Sequence, residues 1–467
     1  MSSRRTVRRR RSWRPRWRSS PSRSPTWRSR PMPGDPTYAE AIAALERALR
    51  FGIHPSLEGI SALVEVLGHP ERAYRTAQVT GTNGKTSVTR MFSAILQAHG
   101  LRAGTYTSPH LESYTERIAV AGLPIAEEAF ARSLGAALRA GESLRAARSG
   151  EPFTEFEILT AAALVAFAEA GVFWAVLEVG MGGRWDATSV VSPSVSVVTG
   201  VALDHTDRLG GTREAIASDK AFIIKPGSVA VLGPGCEGVE EPLLARAASV
   251  GVPVVRVGLP DADVAWRVTG IPTAPGGRMR LDVAGTLASY TDLPVRAPSY
   301  QAPNVAVAVA AAEAALGAPL DIDALRDALS SMTFPGRFEL LREHPTLVVD
   351  GAHNPEAAAV LAGAVREAFG GEKPVFLLGV MADKDVRGIV RALLPVSAGF
   401  VCARSRSDRA LSAGDVAHVV RAEGGVVLGE SDDLAAAVDL AESRAAAGVV
   451  SAGSIYIAGE VRALARP

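Results

Sequence analysis

The stretch Val79-Thr80-Gly81-Thr82-Asn83-Gly84-Lys85-Thr86-Ser87 decides the fold. It follows an apolar lead-in, Ala77-Gln78-Val79, that is typical of the end of a buried strand. Beyond it, apolar residues recur at helical spacing: Val88, Met91, Ile95 and Leu96. The segment therefore predicts a strand, a tight glycine-bearing turn and the N-terminus of a helix.

A turn of this kind makes an anion-binding site. Backbone N–H groups at the helix N-terminus point outward, and the helix dipole favours negative charge. Lys85 adds a point charge for phosphate oxygens, and the hydroxyl of Thr86 or Ser87 is suited to hold Mg²⁺. Val79 stands where the usual eight-residue phosphate-loop pattern has its first glycine. The segment thus departs from that pattern at one position. Its strand–turn–helix context nevertheless favours a nucleotide-binding site rather than an ordinary surface turn.

The composition indicates a globular α/β protein. The 467 residues suit two or three domains at roughly 150 residues each, and 47% of them are hydrophobic. The two cysteines, Cys236 and Cys402, offer no disulfide framework or zinc spacing, which favours a reducing, cytoplasmic setting. No run of ~18 apolar residues occurs, so no membrane span is expected.

The basic residues are concentrated at one end of the chain. Residues 1–33 hold 12 arginines and no acid, which leaves 38 basic against 49 acidic residues in the rest. A like-charged, Arg/Ser/Pro-rich run cannot bury a core, so we predict a disordered tail over 1–33. Nucleic-acid contact, an organellar address or a start codon placed too far upstream would each explain the tail. The acidic body argues against nucleic-acid binding.

The patterns beyond the phosphate loop predict alternating helices and strands. Predicted helices cover Tyr38 to Leu49, Ile60 to Leu67, Glu127 to Leu144, Phe156 to Ala170, Ala302 to Leu316 and Ile322 to Met332. Predicted strands cover Arg102 to Tyr106, which closes a βαβ unit, Phe173 to Leu177, Val195 to Thr199 and Val229 to Leu232. Residues 260–296 alternate apolar and polar positions between Pro-Gly turns, which predicts a small antiparallel insertion.

The proline–glycine stretch Thr333 to Arg337 predicts a domain boundary. After it, strands are predicted at Leu347 to Val349, Val375 to Leu378, Gly399 to Cys402 and Ser454 to Ala458. The predicted fold class is α/β, with a P-loop ATPase-type three-layer αβα domain and a mostly parallel sheet over 34–333. A smaller, Rossmann-like α/β domain is predicted over 334–467.

Polar clusters follow the predicted strands at their C-terminal ends, where ligands collect in open α/β sheets. The clusters are Thr107 to His110, Glu178 to Asp186, Asp204 to Asp207 and Asp350 to Pro355. Mg²⁺ prefers oxygen ligands, which Ser108 and Glu178 supply, and His205 is suited to a second, softer metal site. A single histidine after a strand is more often a hydrogen-bonded loop residue, but four such clusters beside one phosphate loop favour a functional site.

Eight segments together resemble a known family. They are Gly81 to Lys85, Thr107 to Leu111, Tyr114 to Ile118, Glu178 to Thr188, Leu203 to Thr206, Pro335 to Glu339, Asp350 to Pro355 and Asp383 to Asp385. In this order they resemble the Mur ligase superfamily of ATP-dependent amide-forming enzymes, and within it folylpolyglutamate synthase/dihydrofolate synthase. The resemblance runs from about Tyr38 to Arg462, so only the basic tail lies outside it.

The resemblance implies that the ligands are ATP, Mg²⁺ at two sites, a pteroate or folate, and L-glutamate. The nucleotide-binding residues that it implies are Gly81, Thr82, Asn83, Gly84, Lys85, Thr86, Ser87, Asn304, Arg337 and Asp350. The implied metal-binding residues are Thr86, Ser108, Glu178 and His205. The implied pterin-binding residues are Phe51, Gly52, Ile53, Phe153, Thr154, Glu155, Phe156, Trp185, Asp186 and Ala187, and the candidates for glutamate are His353 and Ser405 to Ser407. The implied catalytic residues are Lys85, Lys220, His205 and Arg337, with Lys220 matching a lysine that the family carbamylates.

Two departures from the family pattern concern the site. The family usually has Glu-Lys-Ala-Gly around the modified lysine, whereas this chain has Asp219-Lys220-Ala221-Phe222, with a shorter acid and a bulky aromatic ring. The family loop often has glycine where Thr86 stands. The side chains of Thr86 and Ser87 both carry a hydroxyl group, and the sequence leaves open which of them contacts the metal.

The residues suit amide ligation on chemical grounds as well. Transfer of the γ-phosphoryl group to a carboxylate gives an acyl phosphate with a good leaving group, and this transfer needs the positioning and charge neutralisation that Lys85, metal and Arg337 would supply. The alternatives are a cell-wall Mur amide ligase acting on a UDP-muramyl substrate and, in another class, a nucleic-acid-binding P-loop protein that uses its arginine tail. We expect a monomer that acts on small molecules, with no nucleic acid or membrane partner.

Overall fold

The computed structural model describes residues 36–48, 55–145, 153–204, 206–259 and 261–466. Three predictions lie outside these described residues: the tail over 1–33, the substrate residues Phe51, Gly52 and Ile53, and the metal ligand His205.

An eight-stranded sheet forms the centre of the N-terminal unit, by which we mean the described residues between 36 and 333. Its strands are β1 (Arg75–Thr80), β2 (Ala103–Tyr106), β3 (Ile118–Val120), β4 (Leu123–Pro124), β5 (Trp174–Glu178), β6 (Val195–Gly200), β7 (Val229–Gly235) and β8 (Val254–Arg256). Their order is β4-β3-β2-β5-β1-β6-β7-β8. The six strands from β2 to β8 in this order pair in parallel, and β3 and β4 add an antiparallel edge. The strands β1 and β2 of the predicted βαβ unit do not pair with each other, because β5 lies between them and pairs with both.

Helices cover both faces of this sheet. They are α1 (Tyr38–Ala48), α2 (Glu58–Val66), α3 (Lys85–Ala98), α4 (Glu127–Arg145), α5 (Glu155–Glu169), α6 (Thr206–Leu209), α7 (Arg213–Lys220), α8 (Glu240–Ser249), α9 (Ala302–Leu316) and α10 (Ile322–Ser331). Successive strand residues point to opposite faces. Trp174 and Val176 of β5 therefore join the core formed with α3 and α9, whereas Ala175 and Leu177 join the core formed with α4 and α5. The predicted three-layer αβα arrangement is confirmed.

A small antiparallel sheet lies beside α9 and α10. It consists of β9 (Ala265–Gly270), β10 (Met279–Ala284) and β11 (Ser289–Val295), in the order β11-β10-β9. The apolar residues of β10, Met279, Leu281 and Val283, are buried in the same core as α9, while Arg280 is exposed. The alternating pattern over 260–296 therefore predicted this insertion correctly.

A second α/β unit follows, over the described residues from 334 to 466, which we call the C-terminal unit. Its strands are β12 (Glu339–Arg342), β13 (Leu347–Val349), β14 (Val375–Leu378), β15 (Gly399–Ala403), β16 (Val427–Ser431) and β17 (Val449–Ala452). Its helices are α11 (Pro355–Ala368), α12 (Val386–Leu393), α13 (Ala413–Ala422), α14 (Leu434–Arg444) and α15 (Ile455–Leu464). The sheet order is β12-β13-β17-β14-β15-β16, parallel except for β12 at the edge. The predicted fold class is confirmed.

One predicted strand is wrong. Ser454 to Ala458 was expected to be a strand, but the strand is β17 (Val449–Ala452) and the helix α15 begins at Ile455. Gly453 has a φ of 107°, which ends the strand. The Ser454 hydroxyl then accepts a hydrogen bond from the Ile457 amide at 3.1 Å, so this serine is a helix N-cap. The apolar run that follows is the buried face of a helix.

Candidate active site

The predicted phosphate loop lies between β1 and α3, at the carboxyl edge of the sheet. Gly84 is the N-cap residue of α3 with a φ of 84°, and a Cβ atom on it would lie 2.5 Å from Oδ1 of Asn304. A Cβ on Gly81 would lie 1.9 Å from Oγ1 of Thr199. Both positions therefore require glycine, because any side chain there would collide with Thr199 or Asn304. The turn, with glycine at both of these positions and a helix of fourteen residues after it, fits a bound phosphate chain.

Lys85 holds a half-buried ammonium group within this turn. Its Nζ donates hydrogen bonds to the carbonyl oxygens of Gly81 at 2.9 Å and Thr82 at 3.2 Å. Burial lowers the pKa of Lys85, and the carboxylate of Glu178 opposes that shift. A positive charge whose partners are neutral carbonyl oxygens in a desolvated site is stabilised further by an anion. The position therefore suits contact with phosphate oxygens.

Glu178, the last residue of β5, lies against the first turn of α3. The Thr86 hydroxyl donates to its two carboxylate oxygens, at 2.8 and 3.0 Å, and the Ser108 amide donates at 3.3 Å. Burial raises the pKa of Glu178, and the charge of Lys85 opposes this rise. One carboxylate beside two hydroxyl-bearing residues is a donor set of the kind that Mg²⁺ uses when nucleotide phosphates and waters complete its shell. Within the described part of the chain, no three His, Cys, Asp or Glu side chains converge as a metal site.

The neighbouring Ser87 points elsewhere. Its hydroxyl is buried and accepts a hydrogen bond from Nε2 of Gln301 at 3.2 Å. Oε1 of Gln301 accepts in turn from Nδ2 of Asn304 at 2.8 Å. Ser87 therefore ties α3 to the N-terminal end of α9, while Thr86 faces the carboxylate.

This difference predicts which hydroxyl serves the metal. We expect Thr86→Val to raise the Mg²⁺ concentration at half-maximal rate by about tenfold or more, the cost typical of a disturbed metal shell. Ser87→Ala is the matched control, because it removes a hydroxyl one residue away and should leave the Mg²⁺ requirement unchanged. Phosphate release measured against Mg²⁺ concentration would compare the two. A larger shift for Ser87→Ala would reverse the assignment.

Lys220, the last residue of α7, lies on the other side of the turn. It is 3% exposed, and its Nζ donates to the Gly81 carbonyl oxygen at 3.1 Å. Burial, with the nearby charge of Lys85, lowers the pKa of Lys220 from its usual 10.5 to about 7. The amine is therefore largely neutral above pH 7 and nucleophilic. The adjacent Phe222, which departs from the family pattern, stacks on Arg184 with the guanidinium carbon 4.5 Å from the ring centre.

The C-terminal unit supplies the opposite wall of the site. A cavity of about 420 Å³ is lined by Lys85 and Glu178 from one unit and by Arg337, Asp350 and His353 from the other. Asn304 and Ser108 also line it, so the structure brings most of the predicted nucleotide and metal residues together.

The groups in this wall are fixed by the backbone. The Asp350 carboxylate accepts from the amides of Phe338 at 2.7 Å and Ala352 at 2.8 Å, and burial raises its pKa against the opposing charge of Arg337. The His353 ring bonds through Nδ1 to the Gly351 carbonyl at 2.8 Å, and burial lowers its pKa.

The predicted pterin-binding residues are spread over packed and exposed positions. Phe153 and Ala187 are buried in the core with α4 and α5. Thr154 caps α5 in a reciprocal pair with Glu157, and Glu155 lies 3.8 Å from a guanidinium nitrogen of Arg117. The remaining predicted residues are Phe156, which packs on another ring, Trp185, which is partly exposed, and Asp186, which accepts hydrogen bonds from the backbone.

Phe156 and Trp185 present aromatic surface near this edge of the sheet. Phe156 packs on Tyr106 with ring centres 5.9 Å apart, and Trp185 is 43% exposed. Asp186 is instead occupied with the chain itself, since it accepts from the amides of Met181 at 3.0 Å and Thr188 at 2.9 Å. Phe156 and Trp185 are therefore the predicted residues best placed to contact a flat ring.

Two residues that line the cavity were missed by the sequence reasoning. Gln301 joins Ser87 to Asn304, and its position at the N-cap of α9, three residues before Asn304, was a usable signal. Glu356 of α11 accepts from Nδ2 of Asn83 at 3.0 Å and so connects the phosphate loop to the C-terminal unit. Nothing in the local sequence marks Glu356, because the contact spans two distant segments.

Comparison with known domain families gives the class of protein that this fold and site define. Residues 79–312 match the Mur ligase middle domain, and residues 336–455 match the Mur ligase glutamate ligase domain. The two matches cover the phosphate loop, the Glu178 segment and the Arg337–Asp350 wall. The chain is an ATP-dependent, amide-forming ligase of the Mur type.

Individual relatives place it more narrowly. The chain is 39% identical over 446 residues to the dihydrofolate synthase/folylpolyglutamate synthase of Mycobacterium tuberculosis, covering 88% of this chain and 90% of that protein. It superimposes on E. coli FolC in complex with DHPP and ADP with a TM-score of 0.80 and 32% identity, over 92% of this chain and 97% of that one. A bifunctional folylpolyglutamate synthase/dihydrofolate synthase with Mn, AMPPNP and L-glutamate bound gives a TM-score of 0.78 and 31% identity, over 92% and 98%. The chain belongs to the folylpolyglutamate synthase/dihydrofolate synthase family, and the predicted resemblance is confirmed.

Proposed function

We propose that this chain ligates L-glutamate to dihydropteroate and to the γ-carboxylate of a reduced folate, with ATP converted to ADP and phosphate. The observation that carries the proposal is the convergence of Lys85, Glu178, Arg337 and Asp350 on one cavity between the two units. The solved relatives add support, since one binds DHPP with ADP and another binds L-glutamate with AMPPNP and Mn.

In the proposed mechanism the phosphate loop binds the nucleotide and orients its γ-phosphoryl group. The amides at the start of α3 and the Lys85 ammonium hold the phosphate oxygens. Thr86, Ser108 and Glu178 would hold a divalent metal, which would supply positive charge to neutralise the phosphates. Asn304, together with Gly81, Thr82, Asn83, Gly84 and Ser87, completes the nucleotide site. A second metal beside Glu178 and His205 belongs to the proposal as well.

The C-terminal unit completes the site from the other side. Arg337 is proposed to stabilise the charge that develops as the phosphoryl group reaches the acceptor carboxylate, and Asp350 fixes the surrounding loop. The amine of glutamate, bound near His353 and Ser405 to Ser407, then displaces phosphate from the acyl phosphate. Contact between the two units keeps water from this intermediate, which would otherwise hydrolyse. We propose the boundary between the two domains at residues 333 and 334, in the segment between α10 and β12.

The acceptor is proposed to lie against Phe156, Trp185 and the neighbouring predicted residues. A purified protein should release phosphate only when ATP, glutamate and a pteroate or folate are all present. Dihydropteroate and tetrahydrofolate offered separately would show whether one or both ligations occur. Well-folded protein that releases no phosphate under either condition would refute the proposal.

Two alternatives are separable by simple measurements. A UDP-muramyl acid that raises the melting temperature more than a pteroate does would indicate a cell-wall ligase. ATP turnover that needs nucleic acid only when residues 1–33 are present would indicate a nucleic-acid-dependent protein.

We also propose a cytoplasmic monomer. Cys236 and Cys402 are both free and buried, which suits a reducing compartment. Among the described helices, none combines the length and apolarity needed to cross a bilayer. Size-exclusion chromatography with light scattering would test the monomer.

A further inference from the structure

The loop that carries Ser108 is braced internally. We call it the Ser108 loop, Thr107 to Arg117, between β2 and β3. The Glu116 carboxylate accepts hydrogen bonds at 3.0 to 3.1 Å from three backbone amides: those of Leu111, Glu112 and Ser113. The Arg117 guanidinium also donates to Nδ1 of His110 at 2.9 Å. Positions 111 to 113 are therefore tied to Glu116 within the same short loop as Ser108, whose amide donates to Glu178 at 3.3 Å.

Leu111 docks this loop against two glycines of the C-terminal unit. A Cβ atom on Gly459 would lie 2.2 Å from the Leu111 carbonyl oxygen, and a Cβ on Gly336 would lie 2.9 Å from Leu111 Cδ2. Gly459 is inside α15, where glycine is less favourable than alanine. The helix has a glycine at a point where the backbone of the loop approaches it closely, which indicates that the contact is part of the fold.

Arg462, three residues further along α15, joins this contact to the second wall of the site. Its Nη1 donates to Glu112 of the Ser108 loop, and its Nε donates to Oε1 of Glu339 at 3.0 Å. The other oxygen of Glu339 accepts from the Gly336 amide at 2.8 Å, and Gly336 immediately precedes Arg337. The side chains of Arg462, Glu112 and Glu339 are 20%, 15% and 16% exposed, so solvent screens the pairs only in part.

We propose that Arg462 is a positioning residue for ligation. Through Glu112 it holds the Ser108 loop, and through Glu339 it holds the segment that carries Arg337. Its guanidinium suits this role because one planar group binds two carboxylates in fixed directions. The metal-binding side and the phosphoryl-transfer side of the cavity belong to different units, and Arg462 sets their separation. The proposal rests on the proposed function in taking Ser108 as a metal-binding residue.

The test compares variants by their Mg²⁺ requirement as well as their rate. We expect Arg462→Met to raise the Mg²⁺ concentration at half-maximal rate, and to lower kcat, by about tenfold or more each, as loss of a supporting contact does in metal sites. Arg462→Lys should lie between this variant and the unmodified protein. Glu112→Gln leaves the hydrogen bond from Arg462 to Glu339 intact. It should therefore raise the Mg²⁺ requirement as well, but by less than Arg462→Met does. Arg391→Met is the matched control, since Arg391 pairs with Glu423 at 2.5 Å elsewhere in the C-terminal unit and should change neither quantity.

A structural role alone would give a different result. Arg462→Met and Glu112→Gln would then lower the melting temperature while Mg²⁺ requirement and kcat stayed within twofold of the unmodified protein, and the proposal would be wrong. If Arg462→Met does not fold, Glu112→Gln decides the question by itself. Failure of the proposed function is distinguishable, because the unmodified protein would then show no glutamate-dependent phosphate release.

Discussion

Lys85→Met should lower the kcat of glutamate-dependent phosphate release by about 10³-fold or more, the scale on which a single preorganised charge stabilises a phosphoryl-transfer or oxyanion transition state. Lys85 is half-buried in the phosphate loop, where its ammonium group donates to the Gly81 and Thr82 carbonyl oxygens and is attracted by the charge of Glu178. Methionine has a similar length and no charge, so the change removes the charge and leaves the packing nearly intact. Steady-state kinetics with calorimetric titration of ADP would separate lost rate from lost binding.

Lys225→Met provides the matched control for losing a lysine from the same unit. The Lys225 ammonium donates to the carbonyl oxygens of Ser189 and of Val191, the latter at 2.7 Å, and burial lowers its pKa to about 8. It lines no part of the cavity. We expect Lys225→Met to lower the melting temperature without a large change in kcat. A folded Lys85→Met protein that kept more than a tenth of the activity would contradict the proposed role of Lys85.

The phosphate loop was predictable because local signals agree there. An apolar strand, glycines at the turn and helical periodicity all point to one structure, and the helix Lys85–Ala98 follows the turn as expected. At Ser454 the local signals conflict, because the apolar run Ile455 to Ala458 is compatible with a short strand or a buried helix face. The Ser454 hydroxyl caps the first turn of the helix, and this serine is the sequence signal that distinguishes the helix from a strand.

The remaining parts of the site depend on contacts between distant segments. Thr86 and Ser87 have equivalent sequence signals, and only the packing of α3 between Glu178 and Gln301 separates their roles. The insertion of β5 between β1 and β2 likewise follows from sheet topology, which no single segment encodes. The bridge from Arg462 to Glu112 joins residues 350 positions apart. Sequence patterns therefore located the strand-end clusters, while the relations among them required the folded chain.

Substitution of Lys220 should have the second large effect on activity, and this effect should depend on pH and on carbon dioxide. Its amine lies at the Gly81 carbonyl with a pKa of about 7, so at pH 8 it is mostly neutral and able to attack CO₂. The N–C bond that forms releases one proton and leaves a carbamate, whose negative charge is attracted by the ammonium group of Lys85. We expect Lys220→Met to lower kcat by up to about 10²-fold, comparable to loss of a group that tunes a metal site. We also expect the unmodified protein to lose activity in CO₂-free buffer at pH 8 and to regain it with bicarbonate.

The same lysine should make stability depend on pH in a definite direction. The unfolded chain keeps the Lys220 proton up to about pH 10.5, whereas the folded protein releases it near pH 7. Between these values the unfolded state binds more protons, so the free energy of unfolding rises with pH, with a limiting slope of about 1.4 kcal/mol per pH unit. The free energy of unfolding of Lys220→Met should exceed that of the unmodified protein by most at or below pH 7. This difference should become smaller towards pH 10. Urea unfolding of both proteins in CO₂-free buffer measures this difference, and a difference independent of pH would show that Lys220 does not titrate in this window. Added bicarbonate should then stabilise only the unmodified protein, since only its amine can form the carbamate.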